Sequence, residues 1–170
     1  MKFLIYEMYH QSPKENKDIY ILKQDNFLAI IIDNLPKAKE ERIKKIQELR
    51  NNYKLKLIEV TQEQFLKFIN SKNIKIQKIE FQECLEDEDK EEIEKFLKEK
   101  KYIELLNKLK ENNRYYYIMS VQIELIEENL IVNLKKNLEV EVSDNSLQGY
   151  SLEKIFDILE EKKIIKTLIK

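Results

Sequence analysis

Glycine and proline are almost absent from this chain, since one glycine and two prolines occur in 170 residues. Glycine adopts positive φ without a steric penalty, and stretches rich in glycine or proline form most flexible linkers. A chain with so few of them has little linker and makes its turns from other residues. We expect asparagine and aspartate to form these turns, because both tolerate the left-handed region. We also expect one domain over 1–170, with a subdivision into 1–82 and 83–170 as the alternative.

The composition is that of a folded and highly charged protein. Hydrophobic residues make up 42% and charged residues 37%, which is more apolar than a disordered segment. The bias toward isoleucine, lysine, glutamate and asparagine resembles proteins of AT-rich genomes, so the lysine content alone does not indicate nucleic-acid binding. Cys84 is the only cysteine, and the opening MKFLIYEM is too short for a signal peptide or a membrane span. We therefore expect a cytoplasmic protein without a membrane partner.

The first half of the sequence predicts a small mixed sheet covered by helices. The runs of apolar, β-branched and aromatic residues typical of strands occupy 2–8, 19–33, 54–60 and 73–81. The second of these predicts a hairpin, and its run FLAIII is apolar throughout, which favours a central strand. Pro36 is placed for the first turn of a helix, Thr61 with Gln64 matches a capping box, and a change of phase at Gln77 predicts a β-bulge. Strands that alternate with helices favour parallel or mixed pairing.

The second half predicts a helical segment, an antiparallel meander and a closing helix. Residues 86–111 have a helical pattern, either as one long helix or as two that separate near Lys100. Three strands with two short turns are expected within 114–142. The closing helix begins after the single glycine, with Ser151 as its N-cap. The chain as a whole is therefore expected to have an α+β fold.

The same composition excludes several catalytic and cofactor sites. His10 is the only histidine, so a histidine-based zinc site lacks its ligands. Gly149 is the only glycine, so neither a P-loop nor a dinucleotide-binding turn can form. Cys84 lies between Glu83 and Glu86, and these carboxylates disfavour the thiolate that a nucleophile requires. We predict no cofactor and regard an enzyme as the less favoured class.

One enzymatic alternative remains, a magnesium-dependent nuclease or phosphotransfer protein. Asp33, Glu59 and Glu80 each lie at or near the carboxyl end of a predicted strand. If those strands were parallel, their ends would meet at the edge where open α/β sheets bind ligands. Carboxylates gathered there could hold Mg²⁺ and activate water. Solvated strand ends and helix caps explain the same residues more simply.

A nucleic-acid-binding alternative depends on the segment NNRYYYIMS. Arginine and aromatic side chains grip single-stranded nucleic acid by charge and by stacking. Strand alternation places Tyr115 and Tyr117 on the apolar face. Arg114 and Tyr116 then point the other way and would form the binding surface. One tyrosine and one arginine make a small platform for this purpose.

The densest charge lies in ECLEDEDKEEIEK, at 83–95, where eight carboxylates accompany two lysines. A helix start explains part of this run, because acidic side chains stabilise a helix N-terminus. Such a start needs two or three carboxylates, so most of the eight require another explanation. A calcium-binding EF-hand loop is excluded, because its central glycine is absent.

The leading hypothesis is therefore a small non-enzymatic protein that binds another macromolecule. A helix with dense carboxylates is complementary to a basic surface, as in inhibitors or immunity-type factors that mimic a phosphate backbone. A nucleic-acid-handling protein is one partner of this kind. The residues predicted to form the partner-binding surface are Glu86, Asp87, Glu88, Asp89, Glu91 and Glu92.

Overall fold

The structure is a computed structural model that describes residues 1–9, 16–22, 26–70, 74–111, 116–144 and 149–169. The strands are β1 (Lys2–Met8), β2 (Ile19–Ile21), β3 (Phe27–Ile31), β4 (Leu55–Leu57), β5 (Lys75–Phe81), β6 (Ile118–Leu125), β7 (Leu130–Lys135) and β8 (Glu139–Asp144). The helices are α1 (Lys39–Asn52), α2 (Gln62–Ile69), α3 (Asp87–Lys98), α4 (Tyr102–Glu111), α5 (Leu152–Glu161) and α6 (Ile164–Ile169). The predicted α+β class is confirmed. None of the described helices combines the length and the apolar character that crossing a membrane requires.

The described strands form one sheet in the order β2-β3-β1-β8-β7-β6-β5, and β4 also pairs with β1. Each of these pairings is antiparallel, whereas the pattern of the first half favoured parallel or mixed pairing. The position of β1 explains the difference. β3 and β4 are joined by a helix and run in the same direction, but β1 lies between them and pairs with both. Because β1 lies between them, β3 and β4 do not pair with each other, and the expected parallel pairing does not form.

The two faces of the sheet are covered unequally. One face packs against α2, α3, α4, α5 and α6 and forms the main hydrophobic core. Within the described residues, the other face is covered where β1, β3 and β4 lie, by α1 and the segment before it. β1 contributes to both cores, because Phe3 and Ile5 face the first and Tyr6 and Met8 face the second. The rest of the second face, over β5 to β8, carries mainly polar side chains and no described helix.

Several local predictions are confirmed. The apolar run of β3 is buried between β1 and β2, as expected of a central strand. The backbone N–H of Gln64 donates to Thr61 Oγ1 at 3.3 Å and the Thr61 N–H donates to Gln64 Oε1 at 2.7 Å, which completes the capping box of α2. Ser151 Oγ accepts the N–H of Lys154 at 3.2 Å at the start of α5. The helical segment is divided into α3 and α4, and the break falls at 99–101.

Two helix boundaries differ from the prediction. α1 begins at Lys39, because its N-cap is Ala38 and Pro36 lies in the irregular segment before it. The closing helix is followed by a second one, α6, after a turn in which Lys163 has a positive φ.

The predicted bulge in β5 is confirmed by a register shift that skips Gln77.

A second irregularity reverses the expected orientation of a tyrosine. The β5–β6 ladder skips Met119, which is 39% exposed. Because side chains alternate along a strand, this extra residue moves those before it to the opposite face. Tyr116 is therefore only 3% exposed, and its ring centroid lies 5.9 Å from that of Phe81. We expected Tyr116 to point away from the core, and this expectation is wrong.

Positive φ values show how the chain turns with a single glycine. Besides Gly149, the described residues in the left-handed region are Lys54, Lys100, Asn129, Leu138 and Lys163. Three are lysines that follow α1, α3 and α5, at the position where glycine is usual. After α3, the N–H of Lys101 donates to the Phe96 carbonyl at 2.8 Å and the N–H of Lys100 to the Leu97 carbonyl at 3.2 Å, as in a Schellman motif. Of the non-glycine residues in this set, only Asn129 meets the expectation that asparagine and aspartate form the turns.

Replacing Lys54 with glycine should stabilise the fold. Lys54 is exposed and has a φ of 50°, a conformation that costs an L-residue about 1–2 kcal/mol and glycine very little. Glycine also gains freedom in the unfolded chain, so we expect a net stabilisation of roughly 0.5–1 kcal/mol. Lys44 is the control, since glycine at this exposed position inside α1 should destabilise by about 1 kcal/mol. Urea unfolding measures both free energies, and a destabilised Lys54→Gly variant would contradict the left-handed turn.

Candidate functional site

The acidic run of the sequence forms the start of α3. The helix follows its N-cap Glu86, and its first turn carries three acidic residues, as expected from the attraction of carboxylates to a helix N-terminus. Ile93 and Leu97 are buried and attach the helix to the main core. The remaining residues of α3 divide between a side that contacts α4, a side that borders β5 and an outer side exposed to solvent.

Lys108 of α4 binds two carboxylates of the acidic run. Its ammonium group lies 2.7 Å from a carboxylate oxygen of Asp89 and also pairs with Glu92. Hydrogen bonds to Asp89 and Glu92 raise the pKa of Lys108, and hydrogen bonds from Lys108 and from the Tyr116 hydroxyl lower the pKa of Asp89. Asp89 and Glu92 thus join α3 to α4. Of the six residues predicted to bind a partner, these two already have a cation within the protein.

The other six carboxylates of the run are exposed and have no cation within 4 Å in the described part of the chain. They are Glu83, Glu86, Asp87, Glu88, Glu91 and Glu94. Helical spacing brings like charges together, for example Asp87 with Glu91, and such pairs repel. The chain contains 31 lysines and arginines against 32 carboxylates, so cations are not scarce. The fold nevertheless gives these six carboxylates no ion pair among the described residues.

α3 and the edge strand β5 enclose a groove of about 1060 Å³. β5 is the last strand of the sheet, so one side of its backbone lacks a strand partner within the described residues. On this side the N–H of Ile76 donates to the Tyr102 hydroxyl at 3.2 Å, so this N–H near the beginning of β5 already has a partner. The charged side chains along the groove include Lys75, Lys78 and Glu80 from β5 and Asp87, Lys90, Glu94 and Lys98 from α3.

The sheet separates the three carboxylates that were predicted to hold a metal. Asp33 follows β3 and accepts the backbone N–H of Lys2 at 2.9 Å. Glu59 follows β4, on the other side of β1, and lies 3.7 Å from Lys136. Glu80 belongs to β5, and three strands lie between β5 and β1.

The magnesium-site hypothesis required parallel strands, whose carboxyl ends meet at one edge of a sheet. β3 and β4 end at the same end of the sheet, but β1 lies between them and separates Asp33 from Glu59. β5 runs in the opposite direction to both, so its carboxyl end, with Glu80, lies at the other end of the sheet. Glu80 instead accepts bonds from Lys78 at 2.7 Å and from the Ser120 hydroxyl at 2.9 Å. In the described ranges, no three histidine, cysteine, aspartate or glutamate side chains are grouped so that they could hold a metal ion.

The aromatic side chain on which the nucleic-acid hypothesis depended is not accessible. Tyr116 is buried and its hydroxyl bonds to Asp89, so its ring cannot stack on a base. Tyr117 is partly exposed, but the Lys136 ammonium lies over its ring at 4.9 Å from the centroid. Arg114, like His10, lies outside the described residues.

A polar surface on the uncovered face of β5 to β8 was not predicted from the sequence. The lysines and glutamates that pair there are Lys2, Lys75, Lys78, Lys135, Glu80, Glu124, Glu139 and Glu141. Partial burial would raise the pKa of Glu139, but hydrogen bonds from Lys135 and Lys2 outweigh it and lower that pKa. The alternation of charged and apolar residues in β6, β7 and β8 was the available signal. Equal numbers of opposite charges leave this surface without net charge for a ligand.

No function is available from a related protein. Comparison of the chain with protein families, with curated proteins and with solved structures finds no match. α3, with its unpaired carboxylates and its adjoining groove, is the strongest candidate site in the part of the chain that the structure describes.

Proposed function

We propose that this chain is a non-enzymatic cytoplasmic protein that binds a basic surface of a macromolecular partner through the exposed carboxylates of α3. The observation that supports this function is the group of six carboxylates that have no cation within 4 Å among the described residues. Elsewhere, glutamates of the same chain pair with lysines, such as Glu127 with Lys162 at 2.7 Å. A partner that supplies lysine or arginine would relieve the repulsion within α3.

The outer side of α3 is the part best placed for such a contact. Glu86, Glu88 and Glu91 are exposed, do not border the groove and make no ion pair with Lys108. Burial of Ile93 and the bonds of Lys108 hold the helix in place. A rigid array of charges loses little conformational freedom on binding, which favours affinity.

A nucleic-acid-handling protein is the class of partner that this chemistry fits. Proteins that bind nucleic acid neutralise phosphates with lysine and arginine, so their binding surfaces are basic. A helix that presents closely spaced carboxylates competes with the phosphate backbone for such a surface. The resulting activity would be inhibitory, as in an immunity-type factor.

Reversing the outer charges should weaken partner binding by roughly 10–100-fold, which corresponds to about 1.4–2.8 kcal/mol. The variant carries Glu86→Lys, Glu88→Lys and Glu91→Lys. Affinity capture from the native cell with mass spectrometry identifies proteins retained by the wild type. Titration of the identified partner with both purified proteins, at low and high salt, then measures the change in affinity.

A control variant separates the position of these charges from their number. Glu40, Glu41 and Glu153 are exposed carboxylates in the first turns of α1 and α5, and changing all three to lysine alters the net charge equally. We expect this control to bind the partner as the wild type does, with an affinity that falls as salt rises. A partner that binds the α3 variant as tightly as the wild type would remove the outer side of α3 from the interface.

A further inference from the structure

We infer that the groove between β5 and α3 binds an extended segment of a protein partner, which joins the sheet as a strand antiparallel to β5. This inference goes beyond the proposed function, because it uses the groove side of α3 and not its outer carboxylates. The segment that fits carries basic residues at its N-terminal end and carboxylates at its C-terminal end.

The backbone of β5 supplies the first part of this site. An edge strand presents N–H and C=O groups to an incoming strand, and several peptide-binding domains use such an edge beside a helix or a second wall. β5 has seven residues, which span roughly 23 Å at a rise of about 3.3 Å each. The Ile76 N–H already donates to the Tyr102 hydroxyl, so the part of the edge that can pair with an added strand runs from Lys78 to Phe81.

α3 supplies the second part of the site, because it lies beside this edge and leaves an open groove between itself and β5. The groove volume of about 1060 Å³ is slightly above the usual range for ligand pockets. Phe81 and Leu85 are partly exposed and are among the apolar residues that line the groove, so a strand lying there would meet both backbone donors and apolar surface.

The charges that line the groove are distributed unevenly along it. A short segment, 82–86, joins the end of β5 to the start of α3, so those two ends lie together, and Glu83 and Asp87 line the groove there. The hydrogen bond between Ile76 and Tyr102 brings the start of β5 to the end of α3, where Lys98 lines the groove. Lys90 and Glu94 line the groove between these two ends, and their opposite charges balance. One end of the groove is therefore acidic and the other is basic.

The charges at the two ends are free to act on a ligand. Glu83 and Asp87 at one end, and Lys98 and Lys100 at the other, make no ion pair within the described part of the chain. Lys75, by contrast, is already paired with Glu124. The groove thus has an uncompensated polarity that a ligand of opposite polarity would neutralise.

The direction of the bound strand determines which order of charged residues fits the groove. Every described strand pair in this sheet is antiparallel, and antiparallel pairs are the commoner kind in proteins. A strand antiparallel to β5 begins beside Phe81, near Glu83 and Asp87, and ends near Lys98. Lysine or arginine should therefore come first in the segment, and aspartate, glutamate or a terminal carboxylate last.

Two fluorescein-labelled peptides test this order. Each has nine residues, with five alternating valines and threonines in the middle; one begins with two lysines and ends with two glutamates, and the other has these ends exchanged. Fluorescence anisotropy should show that the lysine-first peptide binds the full chain about tenfold more tightly, a difference of about 1.4 kcal/mol. Absence of binding by both peptides, or equal binding, overturns the inference.

Exchanging charges within the groove should remove the preference. The variant Asp87→Lys with Lys98→Glu keeps the net charge and leaves one positive and one negative charge at each end, beside Glu83 and beside Lys100, so it should bind the two peptides with similar affinity. The matched control, Glu88→Lys with Lys95→Glu, places the same exchange on exposed residues of α3 that do not line the groove. It should keep the preference of the wild type, and an unchanged preference in the groove variant contradicts the inference.

Methylation of the peptide backbone tests strand addition without any change to the protein. Alternate residues of an added strand point their N–H groups toward β5, so N-methylation at one alternate set should abolish binding and at the other set should not. Equal effects of the two sets would exclude a strand.

The variant Glu86→Lys, Glu88→Lys, Glu91→Lys should still bind the lysine-first peptide with an affinity within about threefold of the wild type. Failure of the groove proposal and failure of the outer-surface proposal are therefore distinguishable.

Discussion

Replacing Phe156 with alanine should lower the free energy of unfolding by about 3–5 kcal/mol, the usual cost of removing a buried aromatic side chain. Phe156 belongs to α5 and is fully buried. Its ring stacks on Tyr20 with centroids 4.3 Å apart and lies 4.7 Å from the ring of Phe3. These contacts attach one of the last helices to the first two strands, so the variant tests the long-range packing of the sheet.

Urea unfolding and thermal unfolding measure this effect. At about 2–4 °C per kcal/mol for a chain of this length, the melting temperature should fall by roughly 6–20 °C. Ile103 provides the control, because it is 70% exposed and its replacement by alanine should change stability by less than about 0.5 kcal/mol. A loss below about 1 kcal/mol at Phe156 would show that α5 does not pack on β1 and β2.

The features that the sequence predicted correctly are those decided within a few residues. The capping box of Thr61 and Gln64 and the N-cap at Ser151 depend on side-chain bonds to backbone groups three residues away. The division between α3 and α4 and the order of the meander follow from local periodicity and turns. The insertion of β1 between β3 and β4 depends on contacts across the whole chain, and no local pattern reports it.

The candidate site shows the same limit. The acidic start of α3 was visible in the sequence, but the pairing of Lys108 with Asp89 and Glu92 depends on how α4 packs against α3. The burial of Tyr116 depends on a bulge at Met119, an apolar residue between Ile118 and Ser120 that gives no signal of its own. Tertiary packing therefore decided which charged and aromatic residues remain accessible to a partner.

The scarcity of glycine has its strongest consequence inside the core. Leu138 ends the three-residue turn between β7 and β8 with a φ of 53°, a position that glycine usually fills in such hairpins. Its N–H donates to the Lys135 carbonyl at 2.9 Å, and its own carbonyl accepts the N–H of Ile5 at 3.1 Å. The side chain is fully buried in the main core. Packing of the leucine therefore stabilises a backbone conformation that its Cβ disfavours.

Glycine should be better tolerated than alanine at Leu138, although glycine is the worse choice at most buried positions. Leu138→Ala should destabilise by about 2–5 kcal/mol, because it empties a buried site and keeps the strained φ. Leu138→Gly also removes the Cβ and adds backbone freedom to the unfolded chain, but it relieves the left-handed strain of about 1–2 kcal/mol. It should therefore be roughly 0.5–1 kcal/mol more stable than the alanine variant. Leu134, equally buried in the regular strand β7, is the control, and there glycine should be roughly 0.5–1 kcal/mol less stable than alanine. Urea unfolding of the four variants measures both differences, and the same sign at the two positions would refute the strained turn.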